Sequence, residues 1–237
     1  MEPPEPPLVV LVHGAWHGAW CWSALQVELD SRGIPSLAID LPGHGASIEP
    51  FSDLAGDAAA VSALVASIAR PIVLVGHSYG GAVISEIGTP HNVTHLVYIA
   101  AFVTDVGESV ISLSASLPQD PTVLSGAIVV GEGVTTIVAD RAHDAFYGNC
   151  DPVVTGAHVA RLCPQPIATV VQPASSASWR HIASTYVRCT ADAAVALSNQ
   201  DVMAARCTNV ETLDADHSPF ASMPVETAEI IARIVRG

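Results

Sequence analysis

The sequence predicts an α/β fold, with a mostly parallel sheet covered by helices on both faces. Two observations predict it. Short apolar runs of strand length alternate with helical patterns, and glycine-bearing turns stand where the runs end. With 237 residues, half of them hydrophobic, the chain fits one domain with a sizeable core.

The elements follow in order. Met1 to Pro7, rich in proline and glutamate, reads as an extended, solvated tail. Leu8 to Val12 is a buried strand ending at His13-Gly14. Trp20 to Ser31 is a helix stopped by Gly33 in the usual C-terminal position. Ser36 to Asp40 is a strand that runs into the turn Leu41-Pro42-Gly43-His44-Gly45. Asp53 to Ala69 is an alanine-rich helix, and Ile72 to Val75 the next strand. A tight turn at Gly76 to Gly80 leads to a helix from about Gly81 to Ile87, and His95 to Ala100 is again a strand.

From Thr104 to Ser178 the alternation loosens. Prolines, glycines and serines are frequent there, and only weak helical pieces are visible, at Val134 to Ala142 and Pro152 to Leu162. An irregular stretch this long inside a compact domain is usually functional, and it reads as a cap. The alternation then resumes with strand Ile182 to Cys189, helix Asn199 to Arg206, strand Val210 to Leu213 and helix Val225 to Arg236. The expected organisation is one domain spanning 1–237. Its core is 8–104 and 179–237, and its insertion about 105–178.

The formal net charge is −14, and every basic side chain other than histidine is arginine. Such a surface repels nucleic acid and anionic lipid headgroups, so neither is expected as a partner. No run reaches membrane-spanning length and no signal-peptide pattern opens the chain. A cytoplasmic protein is expected, although a mature secreted form would read the same. Self-association into a homodimer is compatible with the sequence. The five cysteines (Cys21, Cys150, Cys163, Cys189 and Cys207) include no C-x-x-C pair, which indicates reduced thiols rather than a zinc site. A Cys150–Cys163 bridge is the alternative.

Gly76-His77-Ser78-Tyr79-Gly80-Gly81 matches G-x-S-x-G between a predicted strand and a predicted helix. A strand-to-helix turn this sharp strains the serine backbone and needs small neighbours. It also aims a helix N-terminus at developing negative charge. Ser78 is therefore the candidate nucleophile, with His77 read as a packed neighbour. His13-Gly14-Ala15-Trp16 follows the first strand, and the N–H groups of Ala15 and Tyr79 are the candidate oxyanion donors. His13 reads as a residue that holds this loop by hydrogen bonds.

A serine hydroxyl needs a base within reach. Of ten histidines, only His217 combines a late position, a preceding strand and a loop setting, Asp214-Ala215-Asp216-His217-Ser218-Pro219. His44, His91, His95 and His181 read as turn or surface residues. Asp192, at the end of a strand between Ser78 and His217, is the candidate acid that fixes the imidazole. Its rivals are Asp216, too close in sequence, Asp201, within a helix, and Asp105, after an earlier strand. Asp214, Asp216 and His217 lack further ligand spacing, so neither a metal nor any other cofactor is expected.

These motifs, together with Tyr186-Val187-Arg188-Cys189-Thr190-Ala191-Asp192, Phe146-Tyr147-Gly148-Asn149-Cys150-Asp151 and Arg161-Leu162-Cys163-Pro164-Gln165-Pro166, resemble the plant methylesterase and hydroxynitrile-lyase branch of the α/β-hydrolases. Bacterial esterases of that branch look similar too. The resemblance implies the α/β-hydrolase fold with a helical cap and a serine-hydrolase site. The lyases of the branch carry threonine where this chain has Gly14, and lysine where it has Ser218, so the resemblance leans towards an esterase.

The expected activity is cofactor-free hydrolysis of small uncharged carboxylic esters. Trp16, His17, Tyr79, Phe102, Phe146 and Trp179 are candidate pocket residues, each equally readable as core packing. Hydrolysis of a lactone, amide or carbon–carbon bond, or a receptor role, would use the same residues.

Overall fold

A computed structural model describes residues 5–237. The first four residues of the expected tail lie outside the described ones; Glu5 and Pro6 are exposed. Six strands form one sheet: β1 (Leu8–Val12), β2 (Ser36–Ile39), β3 (Ile72–His77), β4 (Val93–Ile99), β8 (Ser184–Cys189) and β9 (Asn209–Leu213). Their order is β2-β1-β3-β4-β8-β9 and every neighbouring pair is parallel.

The strands divide their side chains between two cores because successive residues point to opposite faces. Val10, Val12, Leu74, Leu96 and Tyr98 enter one core. Val9, Leu11, Val73, Val75 and Val97 enter the other. Helices α2 (Leu54–Ala66), α3 (Tyr79–Glu86) and α8 (Leu197–Ala204) cover the first face. Helices α1 (Ser23–Ser31) and α10 (Pro224–Arg236) cover the second, through Leu25, Leu29, Ala228 and Ile231. A layer on each side explains why the strands read as continuous apolar runs rather than alternating ones. This is the α/β-hydrolase fold expected from the sequence, with its six-stranded sheet parallel throughout.

Several boundaries differ from expectation. Helix α3 begins at Tyr79 rather than near Gly81, because Ser78 itself caps it. The helix expected from Trp20 opens as a 3-10 turn over Ala19–Trp22. The alanine-rich helix begins one residue later because Asp53 is its N-cap, accepting from Gly56 N at 2.9 Å. A four-residue helix α9 (Pro219–Ser222) after His217 was not foreseen.

Residues 105–178 carry helices α4 (Val110–Ser116), α5 (Ala139–Phe146), α6 (Pro152–Val159) and α7 (Ile167–Val171). They also carry a three-stranded antiparallel sheet of β5 (Ile128–Val130), β6 (Val134–Ile137) and β7 (Gln165–Pro166). The helix expected over Val134 to Ala142 is thus corrected. Its first half is a strand, because Val134-Thr135-Thr136-Ile137 is a β-branched run that packs well on a pleated surface. The helix starts only at Ala139.

Arg206 fastens the start of this segment to the end of α8. Its guanidinium donates to Glu108 Oε1 at 2.8 Å and to the Val103 carbonyl at 2.6 Å. Arg180 pairs with Asp105 beside it. Among the described residues no helix is long and apolar enough to cross a membrane.

Candidate active site

Ser78 sits between the last residue of β3 and the first of α3 with φ 51° and ψ −120°. A non-glycine residue held there costs about 1–3 kcal/mol, which the surrounding packing must offset. Ser78 N donates to the Ile99 carbonyl at 3.2 Å, and its own carbonyl accepts from Gly81 N and Phe102 N, each at 3.0 Å. The close approach explains the flanking glycines. A β-carbon at Gly76 would lie 2.5 Å from the Gly80 carbonyl oxygen, and one at Gly80 would lie 2.5 Å from that of Val12.

His217 follows β9 in the loop before α9. Its Nδ1 donates to Asp192 Oδ2 across 2.8 Å, with both side chains buried. Asp192 follows β8, and its carboxylate is fully engaged. Oδ1 accepts from Ala194 N at 2.7 Å and Val195 N at 2.9 Å, while Oδ2 also accepts from Gln200 Nε2 at 3.1 Å. Gln200 in turn accepts from Cys189 N and donates to the carbonyls of Cys189 and Val195, so the end of β8 is knitted to α8.

The rival acids are occupied elsewhere. Asp201 pairs with Arg188 and Asp105 with Arg180. Asp216 accepts from Asn149 N at 2.9 Å, Ser218 N at 3.0 Å and Ser222 Oγ at 2.7 Å. Asp214 accepts from Thr190 Oγ1 at 2.7 Å, so Asp214, Asp216 and His217 do not share a centre.

The loop after β1 runs over this elbow. A β-carbon at Gly14 would lie 3.0 Å from Ser78 Cβ and 2.8 Å from His77 Nδ1. His13 ties the loop down: Nδ1 donates to the Gly14 carbonyl at 2.8 Å and Nε2 accepts from Leu41 N at 3.1 Å. Among the described residues the N–H groups of Ala15 and Tyr79 have no hydrogen-bond partner. Tyr79 N is the first N–H of α3, one of the donors a helix leaves unsatisfied at its start.

Burial keeps His13, His17 and His77 neutral. It pushes His13 and His17 down to about 3, and His77 well below the ordinary imidazole value, with neighbouring histidines adding to the effect. The hydrogen bonds fit this state. His17 Nδ1 donates to the Ala15 carbonyl at 2.7 Å, leaving Nε2 to accept from the Tyr147 hydroxyl at 2.6 Å. His77 Nε2 donates to the His217 carbonyl at 2.8 Å. His44, expected in a turn or at the surface, is instead buried. It stands in the turn after β2, but Gln165, from β7, packs over it and meets its Nε2 at 2.9 Å.

Four of the candidate residues gather into one aromatic cluster. Phe146 lies 5.8 Å from the His217 ring, 5.4 Å from His17 and 5.9 Å from Trp16, by ring centroids. Phe102 is half-buried beside the elbow, with its N–H on the Ser78 carbonyl. Trp179 sits apart from these rings. Its Nε1 donates to the Thr104 carbonyl at 2.8 Å, and the Arg180 and Arg206 guanidiniums lie 4.9 and 5.8 Å from its ring.

Sequence reasoning missed Tyr147, Gln165, Gln200 and Asp57. The last is a buried acid that accepts from the Tyr79 hydroxyl at 2.7 Å and is pushed up to about 7 by burial. Tyr147 and Gln165 lie within quoted motifs, yet their partners are more than a hundred residues away and leave no local signal. All five cysteines are free. Cys150 faces Asp216, and Cys163 faces the Trp16 carbonyl.

The model of the alpha/beta hydrolase family matches residues 9–230. An alpha/beta hydrolase of Aspergillus novofumigatus, nvfD, is 28% identical, over 97% of this chain and 95% of its own. Putative methylesterase 15 of Arabidopsis thaliana is 27% identical over 99% of this chain and 58% of its own. Among solved structures, a pyrethroid hydrolase from Sphingobium faniae superposes with TM-score 0.83 at 24% identity, covering 98% of both chains. Polyneuridine aldehyde esterase gives 0.85 at 20%, covering 97% of this chain and 99% of its own. At these identities the superpositions establish the fold.

Proposed function

The chain belongs to the alpha/beta hydrolase family, with esterases and other hydrolases among its relatives, and from that premise we propose that it hydrolyses small uncharged carboxylic esters through a Ser78 acyl-enzyme. The observation that carries this is a His217 anchored to Asp192 across 2.8 Å, in a chain whose Ser78 stands at a strand–helix elbow with φ 51°. Nδ1 is committed to the carboxylate, so Nε2 is the nitrogen free to act as base.

Ser78 Oγ attacks the ester carbonyl while His217 Nε2 takes its proton. Charge on the former carbonyl oxygen is met by the N–H groups of Ala15 and Tyr79, each such donor being worth about 10²–10³ in rate. The imidazolium, steadied by Asp192, returns its proton to the departing alcohol. Water then gives a proton to His217 and attacks the acyl group, and Ser78 leaves with that proton restored. Trp16, His17 and Phe146 are uncharged rings packed together and, through Phe146, against His217, which supports an uncharged substrate.

Gly14 weighs against the lyase reading: a threonine at this position, as in the resembling lyases, would place its β-carbon 2.8 Å from His77 Nδ1 in this chain.

A fluorophosphonate probe, followed by peptide mapping, tests the proposal. Labelling of Ser78 in the protein, and loss of p-nitrophenyl acetate hydrolysis in Ser78→Ala, are the expected results. Wild-type turnover by Ser78→Ala overturns it.

A further inference from the structure

Asp216 is 2% exposed, and its carboxylate collects four donors from two directions. Oδ1 accepts from Ser218 N at 3.0 Å and from Ser222 Oγ at 2.7 Å, both just beyond His217. Oδ2 accepts from Asn149 N at 2.9 Å and from the Cys150 thiol at 3.6 Å, both in the insertion. Burial, with the carboxylate beside it, pushes that thiol up to about 12, so it stays a donor. A buried carboxylate needs donors to be tolerated at all. Where these four come from gives them a second consequence.

The bond to Ser218 N closes a turn around His217, with a side chain standing in for a backbone carbonyl. The ring so closed runs through N, Cα and C′ of His217. Those three atoms set the direction of its Cα–Cβ bond, and with it the point from which the imidazole starts. The neighbouring peptides are held as well. The His217 carbonyl accepts from His77 Nε2 at 2.8 Å, and the Ala215 carbonyl accepts from Ala191 N at 3.0 Å, next to Asp192.

The other oxygen reaches the turn after α5. Cys150 N donates to the Tyr147 carbonyl at 2.9 Å, so Asn149 lies inside a closed turn just after Phe146. The Phe146 ring is 5.8 Å from that of His217. One carboxylate thus holds the backbone beneath the imidazole and the turn that follows the aromatic ring packed against it.

We infer that Asp216 is a positioning residue for His217, setting the backbone of the base with one oxygen and locking the insertion to it at Asn149 with the other. The inference deepens the ester-hydrolase reading above and rests on it.

Two substitutions separate the two oxygens. Asp216→Asn keeps an oxygen for Ser218 N and Ser222 Oγ but turns an amide N–H towards Asn149 N, so it breaks the insertion side. Asp216→Ala breaks both sides. On p-nitrophenyl acetate, kcat is expected to fall about 10-fold in Asp216→Asn and about 10²-fold in Asp216→Ala, with KM little changed, the scale of a misplaced reacting group. Both variants remove the charge, so only placement separates them. An effect exerted through the imidazole should vanish with it. In a His217→Ala background, whose residual turnover comes from oxyanion donors and binding, Asp216→Asn should add little to the existing loss.

Wild-type kcat in either variant overturns the inference while leaving the hydrolase reading intact. Equal losses in the two, or a loss that multiplies with that of His217→Ala, do the same. If Asp216→Ala does not fold, Asp216→Asn and its double variant decide. A wild-type protein that neither hydrolyses the ester nor takes the fluorophosphonate probe at Ser78 defeats the hydrolase reading, and the inference falls with it.

Discussion

His77 Nε2 donates to the main-chain carbonyl of His217 across 2.8 Å, and the two rings lie 4.5 Å apart. The residue before the candidate nucleophile therefore holds the backbone of the candidate base. The end of β3 and a loop 140 residues further on are joined by one buried imidazole, kept neutral because its burial disfavours the cation.

Replacing His77 should thus disturb the chemistry without touching substrate. His77→Phe preserves bulk and removes the donor. Its kcat on p-nitrophenyl acetate should fall about 10–10²-fold, the scale of a small misplacement of a reacting group. Gln at the same position offers an amide N–H and should recover part of the rate. Steady-state kinetics normalised to probe-labelled Ser78 measures both. A His77→Phe enzyme with wild-type kcat would show that the bond does not position His217.

Much of this was legible in the sequence because it is encoded locally. Strand runs and the elbow Gly76 to Gly80 follow from periodicity and turn chemistry within a few residues, and the order of Ser78, Asp192 and His217 along the chain is the one expected of the hydrolases that the sequence resembles. What escaped is encoded at a distance. Strand β6 reads as helical because a four-residue strand is too short to declare a period of two. His44 looked like a turn residue, and its burial depends on Gln165, 121 residues further on. Tyr147 and Asp57 likewise acquire their roles only from long-range partners, His17 and Tyr79.

Stability should depend on pH through the buried histidines. His13 and His17 sit at about 3 in the folded protein against 6.5 when solvated, and His77 is also lowered. Between those values the unfolded chain binds more protons than the folded one, so stability rises with pH and is lost as pH falls below about 6.5. Each such group contributes up to about 1.4 kcal/mol per pH unit in that window. Asp105 and Glu108, lowered by hydrogen bonds from Arg180 and Arg206, lose their contribution only below the ordinary carboxylate range. Urea unfolding between pH 7.5 and 4.5 should show a falling midpoint. A flat midpoint over that range would contradict the neutral-histidine cluster.

Asp57 acts in the opposite sense. Burial raises it to about 7, and one of its oxygens, Oδ1, has no partner among the described residues. From its solvated value of 3.8 up to about 7, the folded protein holds a proton that the unfolded chain has lost. This carboxyl therefore weakens the fold as pH rises. Asp57→Asn keeps an acceptor for the Tyr79 hydroxyl and cannot ionise. Whatever its stability at pH 4, its stability relative to the native protein should improve by a few kcal/mol by pH 8. Parallel urea titrations at the two pH values measure the difference, and an equal effect at both would remove the buried-acid assignment.

Gly14 joins the oxyanion loop to the His77 contact. A β-carbon there would stand 2.8 Å from His77 Nδ1 and 3.0 Å from Ser78 Cβ, closer than side chains tolerate. His77 cannot swing away freely, because its ring is buried and its other nitrogen is on the His217 carbonyl. Any side chain at 14 should therefore be felt at the nucleophile and, through His77, at the base. Gly14→Ala is expected to lower kcat by about 10-fold or more, and Gly14→Thr further, because misplacement by a fraction of an ångström is magnified in the rate. The double variant Gly14→Ala/His77→Phe should lose less than the product of the two single losses, since both act through one contact. Kinetics on the four forms, with unfolding midpoints alongside, measures this coupling. Losses that multiply would show that Gly14 and His77 act independently, and that the loop and the base are not linked through the imidazole between them.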